Sequence, residues 1–380
     1  MKATFIEDAC ELITDGTHYT PPDIGEGFPF LTVKDMSVKG LDFVHCSHIS
    51  PSEYAKADTG KSSPKIGDVL FSKDGTVGKV HVVSENNEFA ILSSIAILRP
   101  KKDVLDSNYF GYVLRSPITL DQAVRRKTGS AIRRIILKDL KRVKIPLPPL
   151  DEQKRIAAIL DKADAIRRKR KEAIALTEEL LRSTFLDMFG DPLSCHSDSI
   201  SLGKCADVIM GQSPPGTSYN REGYGTPLLN GPTEFGNVHP IEQQWTTKPK
   251  KLCFADDVLF CVRGATAGRL NVADKKYCIG RGIAAIRPKV ESTYNASFLY
   301  AILERYYNYF QQRGVGSTFI NISYKELTDL PIPKSNISTL RNFNLIYGET
   351  QKNMNKLNHH LHQSDNLFNS LLQKAFCGEL

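Results

Sequence analysis

The sequence predicts an α+β protein: two mixed α/β globular domains separated by two long helices that pair as an antiparallel coiled coil, the whole an internal repeat of pseudo-two-fold character. Three observations carry this expectation. First, motifs recur in order across the 380 residues. Asp68-Val69-Leu70-Phe71, followed by Gly75 and Gly78, returns as Asp257-Val258-Leu259-Phe260, followed by Gly264 and Gly268. Ile95-Ala96-Ile97-Leu98-Arg99-Pro100 returns as Ile283-Ala284-Ala285-Ile286-Arg287-Pro288. Gly129-Ser130, Lys138-Asp139-Leu140, Ile145-Pro146 and Leu180-Leu181 match Gly316-Ser317, Lys325-Glu326-Leu327, Ile332-Pro333 and Leu371-Leu372, at offsets of 187 to 191 residues. Second, Leu340, Phe343, Tyr347, Thr350, Met354, Leu357, Leu361, Ser364, Phe368, Leu371 and Ala375 are spaced strictly 3, 4, 3, 4, the period of a coiled-coil seam. Third, short β-type runs alternate with Gly, Pro, Asn and Ser turn signals in the remaining sequence.

Taken in order, residues 1–147 form the first globular domain, with strands at Val69-Leu70-Phe71, Val80-His81-Val82-Val83 and Ala90-Ile91-Leu92 and a helix from Asn108 to Leu114. Residues 148–190 form the first long helix. It begins after Pro146-Leu147-Pro148-Pro149, where Asp151 can cap a helix whose first turn carries Glu152, and runs without Gly or Pro to Gly190-Asp191-Pro192. Its seam is looser: Ile156, Ile159, Ala163, Ile166, Ala173 and Leu180 fit, while Arg170 and Thr177 fall on the seam with Ile174 and Leu181 beside them. Residues 191–333 repeat the globular domain, with a helix from Ala296 to Arg305, and residues 334–380 repeat the long helix. A single seam needs a partner, which the two helices supply to each other. At about 1.5 Å per residue each makes a rod of roughly 50 Å. Antiparallel pairing would hold two similar heads at a fixed distance, an arrangement suited to reading two separated short sequences on one DNA duplex.

Composition narrows the function classes. With 41% apolar and 24% charged residues and no apolar run of membrane length, the chain reads as soluble and has no membrane partner. The start, Met1-Lys2-Ala3-Thr4-Phe5-Ile6-Glu7-Asp8, lacks a secretory apolar stretch. Eight cysteines with no CxxC read as reduced thiols, so a cytoplasmic location is expected. The net charge of +8 is uneven: between Thr119 and Lys144 nine bases face only Asp121 and Asp139. Such a run suits a polyanion partner, the alternative being a solvated basic face.

The segment Ile145-Pro146-Leu147-Pro148-Pro149-Leu150-Asp151-Glu152-Gln153-Lys154-Arg155-Ile156-Ala157-Ala158-Ile159-Leu160-Asp161 resembles the central region of specificity subunits of type I restriction-modification systems, as does Leu181-Arg182-Ser183-Thr184-Phe185. Ile13-Thr14-Asp15-Gly16-Thr17-His18-Tyr19-Thr20-Pro21 and Met210-Gly211-Gln212-Ser213-Pro214-Pro215 resemble openings of that family's target-recognition domains. The resemblance covers the whole chain. It implies a non-catalytic subunit whose two target-recognition domains each read half of a bipartite double-stranded DNA site, and whose helices form the spacer and dock methyltransferase (modification) subunits. Restriction motor subunits complete the complex; ATP, Mg and S-adenosylmethionine are then expected on partner subunits, and no cofactor on this chain. One departure is that Pro331-Ile332-Pro333-Lys334-Ser335 lacks the Pro-Leu-Asp-Glu-Gln continuation of the first copy.

Three recurring features carry the candidate DNA contacts. Gly75-Thr76-Val77-Gly78-Lys79 and Arg263-Gly264-Ala265-Thr266-Ala267-Gly268-Arg269 follow a β run in both copies; small residues beside bases suit backbone amides approaching phosphate, with Lys73, Lys79, Arg263 and Arg269 neutralising it and Thr76 and Thr266 in the loops. A tight hairpin turn with incidental charges is the alternative. Arg125-Arg126-Lys127-Thr128-Gly129-Ser130 and Arg313-Gly314-Val315-Gly316-Ser317 recur next, with Arg133 and Arg134 extending the patch and Asn321 within reach; arginine is the commonest reader of guanine. The opening loops add Thr17, His18, Gln212 and Ser213, for which an ordinary surface turn serves equally well. Catalytic and metal-binding residues are not expected. Ala55-Lys56-Ala57-Asp58-Thr59-Gly60-Lys61-Ser62 only loosely resembles a phosphate loop, and Pro64 sits where its helix should run. The chain carries no HExxH, no strand-linked GxGxxG and no Asn-Pro-Pro-aromatic tetrad. A stand-alone nucleic-acid-modifying enzyme and a coiled-coil RNA- or DNA-binding scaffold are the rival readings.

Overall fold

The computed structural model describes residues 3–37, 40–125, 135–194, 199–313 and 320–380, and the chain packs into two compact units. The first comprises Met1–Lys171 and His360–Leu380, the second Glu172–His359.

In the first unit a four-stranded antiparallel sheet has the order Cys10–Asp15, Ile95–Pro100, Val69–Ser72, Val80–Val82. Successive strand side chains point to opposite faces. Val69, Phe71, Ala96 and Leu98 therefore join Tyr109, Phe110 and Val113 in one core, while Leu70, Ile95 and Ile97 join Leu31, Met36, Phe89 and Ile91 in another. Both faces being covered, these strands read as continuous apolar runs. The second unit repeats the sheet as Ala206–Met210, Ile283–Pro288, Val258–Cys261, Leu270–Val272. It also repeats the division, with Val258, Phe260, Ala284 and Ile286 on one face and Leu259, Cys261, Ile283 and Ala285 on the other. A short parallel pair completes each unit, Phe28–Leu31 with Ala90–Ile91 and Thr226–Leu229 with Tyr277–Ile279.

The aspartate and arginine of the recurring motifs form the same fastening twice. Arg99 Nε and Nη2 donate to Asp68 at 2.7 and 2.8 Å; Arg287 Nε and Nη2 donate to Asp257 at 2.8 and 2.7 Å. Each carboxylate is buried and also accepts a backbone amide, from Lys65 or Phe254, so no oxygen is stranded.

The expected head helices are present with shifted ends. In the first unit Ser107–Arg115 stops at Ser116, extended at φ −68°, ψ 143°, because Pro117 disfavours helical geometry before it; Pro117–Arg125 follows. The second unit has no proline there, and Ala296–Arg313 is continuous. Around Lys61 the backbone has φ 60° and the helix Pro51–Thr59 precedes the loop rather than following it, which removes the phosphate-loop reading.

The long helices span Leu150–Phe189 and Ile337–Cys377, so Asp151 lies within the first turn of its helix rather than at its cap. Gly190, at φ 73°, ends the first in the left-handed conformation that favours glycine. In the first unit Arg155 Nη2 reaches the Leu380 carbonyl at 2.7 Å, Arg167 Nε reaches Asp365 at 2.7 Å, and Arg170 reaches the His360 carbonyl and Ser364 hydroxyl, so numbers rise along one helix as they fall along the other. The two segments are antiparallel. The 340–375 seam is buried or half-buried throughout. The seam read for the first helix needs correction: Ile166 and Leu180 are exposed, whereas Arg170 in the first unit and Ile174, Thr177 and Leu181 in the second are half-buried. Each unit's core also takes residues from the far end of the other copy's helix. Phe368, Leu372, Ala375 and Phe376 pack in the first, and Phe185 in the second, 5.5 Å from the Phe343 ring.

The missing Pro-Leu-Asp-Glu-Gln has a structural counterpart. Gln153 is buried and ties the first helix to its head through the Asp106 amide (2.8 Å) and the Val104 and Pro148 carbonyls (both 2.9 Å). At the matching position in the second unit Leu340 packs in an apolar core instead.

Candidate nucleic-acid interface

The opening loops are clamped onto the sheets in the same way in both units. Gly16 and Thr17 amides donate to the Ile95 and Ile91 carbonyls at 3.2 and 2.9 Å; Gly211 and Gln212 donate to Ile283 and Ile279, both at 2.9 Å. A Cβ at Gly16 would lie 2.0 Å from the Ile91 oxygen, and one at Gly211 2.1 Å from the Gly280 oxygen, so only glycine permits the approach. Thr17 is buried with its hydroxyl on the Tyr19 carbonyl at 2.8 Å. His18 points outward, 75% exposed, with Nε2 3.4 Å from Asp15. Gln212 is exposed, and the half-buried Ser213 accepts the Arg281 amide at 3.2 Å.

The small-residue loops are closed hairpins. In the first, the Ser72 amide donates to the Lys79 carbonyl at 2.9 Å, the Ser72 carbonyl accepts from Gly78 at 3.0 Å, and the Ser72 hydroxyl accepts from the Lys79 amide at 2.7 Å and donates to the Thr76 carbonyl at 2.6 Å; in the second, Gly268 donates to Cys261 at 2.7 Å. Thr76 and Arg263 are exposed and Thr266 is half-buried. Three of the basic residues are occupied by protein acceptors. Lys73 is buried, its Nζ 3.0 Å from Asp15. Lys79 Nζ donates to the Val33 and Met36 carbonyls at 2.9 and 2.7 Å, and Arg269 makes the matching contacts, longer, to Pro232 and Phe235 at 3.3 and 3.4 Å. Lys79 and Arg269 thus strap a short 3-10 turn, Val33–Asp35 or Pro232–Glu234, to the hairpin base.

Of the recurring arginine segments, Arg126, Lys127, Ser130, Arg133, Arg134 and Ser317 lie outside the described residues. Arg125 ends its helix. The exposed Arg313 pairs with Glu326 at 2.7 Å and lies over the Tyr309 ring; Glu326, held by the Ser323 amide and hydroxyl and by Arg313, has its carboxyl below the usual range. In both units a following segment joins the hairpin: Ile135 donates to the Lys73 carbonyl at 2.8 Å, and Ile322 to the Val262 carbonyl at 2.9 Å. Asn321 is exposed and bridges to Arg263.

A depression lies at the opening loop of the first unit, and another lies beside the hairpin of the second. In the first, about 290 Å³ is bounded by Thr14 to Tyr19 with Lys56 and Ser62. Tyr19 donates to Glu53 at 2.5 Å and Lys56 pairs with the same carboxylate, which lowers its pKa. In the second, about 410 Å³ is bounded by Asn230, Gly231, Pro232, Arg263, Arg281 and Gly282. Sequence reasoning missed Tyr19, Lys56 and Arg281. Arg281 sits in Gly280-Arg281-Gly282, a base between glycines, the signal that singled out the hairpins.

The model for the type I restriction modification DNA specificity domain matches residues 3–176 and 199–338, one stretch for each copy of the repeat. The chain belongs to that family. The putative type I restriction enzyme MjaX specificity subunit of Methanocaldococcus jannaschii is 32% identical over 356 residues, 86% of this chain and 81% of the relative. Among solved structures, the type I restriction-modification S subunit from M. genitalium aligns over 99% of this chain and 96% of its own, at TM-score 0.61 and 16% identity. A chain from a study of complex assembly and conformational transition of the type I R-M system aligns over 100% and 98%, at TM-score 0.56 and 23% identity. The two heads are target-recognition domains, and the chain is a specificity subunit, a non-catalytic DNA-recognition component of a type I restriction-modification system. Among the described residues no helix is long and apolar enough to cross a membrane, and no group of three or more His, Cys, Asp or Glu is placed to hold a metal ion.

Proposed function

We propose that residues 1–147 and 191–333 each read one half of an asymmetric bipartite site on double-stranded DNA, while 148–190 and 334–380 set the spacer and dock methyltransferase subunits. The observation that carries this reading is the opening loop clamped onto its sheet in the same way in both units, with a different polar surface around it: a depression lined by the loop itself with His18 and Lys56 in one unit, and one lined by Arg263 and Arg281 in the other. Same frame and different side chains give two readers with different targets. Exposed donors at Thr76, His18, Gln212, Arg263, Arg281, Arg313 and Asn321 face bases or phosphates, together with the basic 125–134 segment and Ser317.

In the assembled complex, methyltransferase and restriction motor subunits carry S-adenosylmethionine, ATP and Mg, and the system works in the cytoplasm. The test is adenine-methylation mapping in cells with and without this chain. Methylation at one interrupted motif that vanishes with the chain is the expected result; identical maps would overturn the reading. Inserting base pairs between the half-sites should abolish specific binding.

A further inference from the structure

The second unit holds a larger cavity that the sequence reading did not anticipate, about 620 Å³, beside the Arg263–Arg281 depression. Three guanidinium groups from three separate elements line it: Arg182 from the long helix, Arg269 from the hairpin and Arg305 from the head helix. Asn237, Tyr300 and Asn308 add polar side chains, and one carboxylate, Glu304, lies 2.7 Å from Arg305. The cavity carries an excess of positive charge. Arg305 is 17% exposed, and its Nε is a buried donor with no hydrogen-bond partner among the described residues, a group whose desolvation is uncompensated until an acceptor arrives. Arg182 is 57% exposed, with a long 3.9 Å contact to Glu179. Arg269 spends two N–H groups on carbonyls at 3.3 and 3.4 Å, leaving donors for a ligand.

We propose that this cavity holds a backbone phosphate of the DNA strand that lies across the second unit, an inference that rests on the DNA-reading function proposed above. Contiguity selects phosphate over other anions. Pro232 lines the Arg263–Arg281 depression, its carbonyl accepts from Arg269, and Arg269 lines the cavity, so one hairpin separates the two. A duplex whose base edges meet Arg263 and Arg281 carries its sugar-phosphate chain past the hairpin, where guanidinium groups match phosphate oxygens. The grip is confined to the second unit. Positions matching Arg182, Arg269 and Arg305 in the first are Gln373, Lys79 and Ser116, and the Lys79 ammonium is occupied by two carbonyls.

The test is the salt dependence of binding of the full chain to a long mixed-sequence duplex. Arg182→Gln and Arg305→Gln should each reduce the slope of log K against log salt by about 0.9, with Arg182→Lys restoring it. Thermal unfolding of each variant separates lost contact from lost fold, and the exposed Arg182 keeps the test decisive if Arg305→Gln misfolds. A wild-type chain that fails to bind duplex DNA would overturn the DNA-reading function itself. Wild-type binding with the slope unchanged in folded Arg182→Gln would overturn the phosphate site alone. The latter outcome joined to weakened assembly with a methyltransferase subunit would reassign the cavity to an acidic side chain of that partner.

Discussion

Lys73 Nζ lies 3.0 Å from Asp15 Oδ2 inside the first unit, and the equivalent positions in the second are apolar, Val262 in one core and Met210 packed against that same core. Asp15 pairs with Ala96 as Met210 pairs with Ala284, so the equivalence is one of register. One site has been solved twice, ionically and by apolar packing. Replacing a buried pair by apolar residues of similar size is often neutral or stabilising, while removing one partner strands a charge. Lys73→Val alone should cost about 3 kcal/mol, and Lys73→Val with Asp15→Met should recover most of it. Urea denaturation of both variants checks this; a double variant no more stable than the single contradicts it.

Lys79 should act on stability rather than on DNA. Lys79→Met frees two carbonyls on the 3-10 turn and should destabilise the first unit by about 1–3 kcal/mol, leaving the salt slope of duplex binding unchanged. Denaturation and binding on the same sample distinguish the two effects.

Arg281→Ala should relax discrimination at one base position by about 1–3 kcal/mol in the half-site read by the second unit, and leave the other half-site untouched. Competition with single-base variants of the mapped site measures it. Loss spread evenly over all sequences would mark Arg281 as a phosphate contact.

The Ser323–Glu326 cap has a pH window of defined sign. Because the folded-state pKa of Glu326 is depressed, its contribution is present above the unfolded value of about 4.3 and is lost as pH falls through the lower folded value. Wild type and Glu326→Gln should therefore differ in stability near neutral pH and converge in acid, as followed by thermal melts across pH.

Burial pushes the thiols of Cys10 and Cys253 up to about 12 and that of Cys205 to about 11, whereas Cys377 is exposed. A thiol reagent should label Cys377 in the native chain and reach Cys10, Cys205 and Cys253 only on unfolding. Peptide mapping by mass spectrometry reads this directly.

The architecture was legible because its signals are periodic: a motif offset near 190 residues and a heptad spacing survive any change of individual side chains. The seam of the first helix was misread at Ile166 and Leu180, since hydrophobicity alone does not reveal that Arg170 satisfies itself on the His360 carbonyl and Ser364. Lys73 misled for a related reason. A sequence displays the charge but not its partner 58 positions earlier, and Asp15 becomes a neighbour only when strand Ile95–Pro100 pairs with Cys10–Asp15 on one side and Val69–Ser72 on the other. Pro117 could have revealed the broken helix, whereas the three-arginine cavity depends on tertiary convergence that no local pattern encodes.

The exchange of helix ends between copies also dictates a timetable. Every residue of the second unit, 172–359, has left the ribosome before the first unit receives Phe368, Leu372, Ala375 and Phe376. During synthesis the domain made first must wait with an open apolar flank while the domain made second can close, so the nascent chain completes its halves in the reverse of their order of translation.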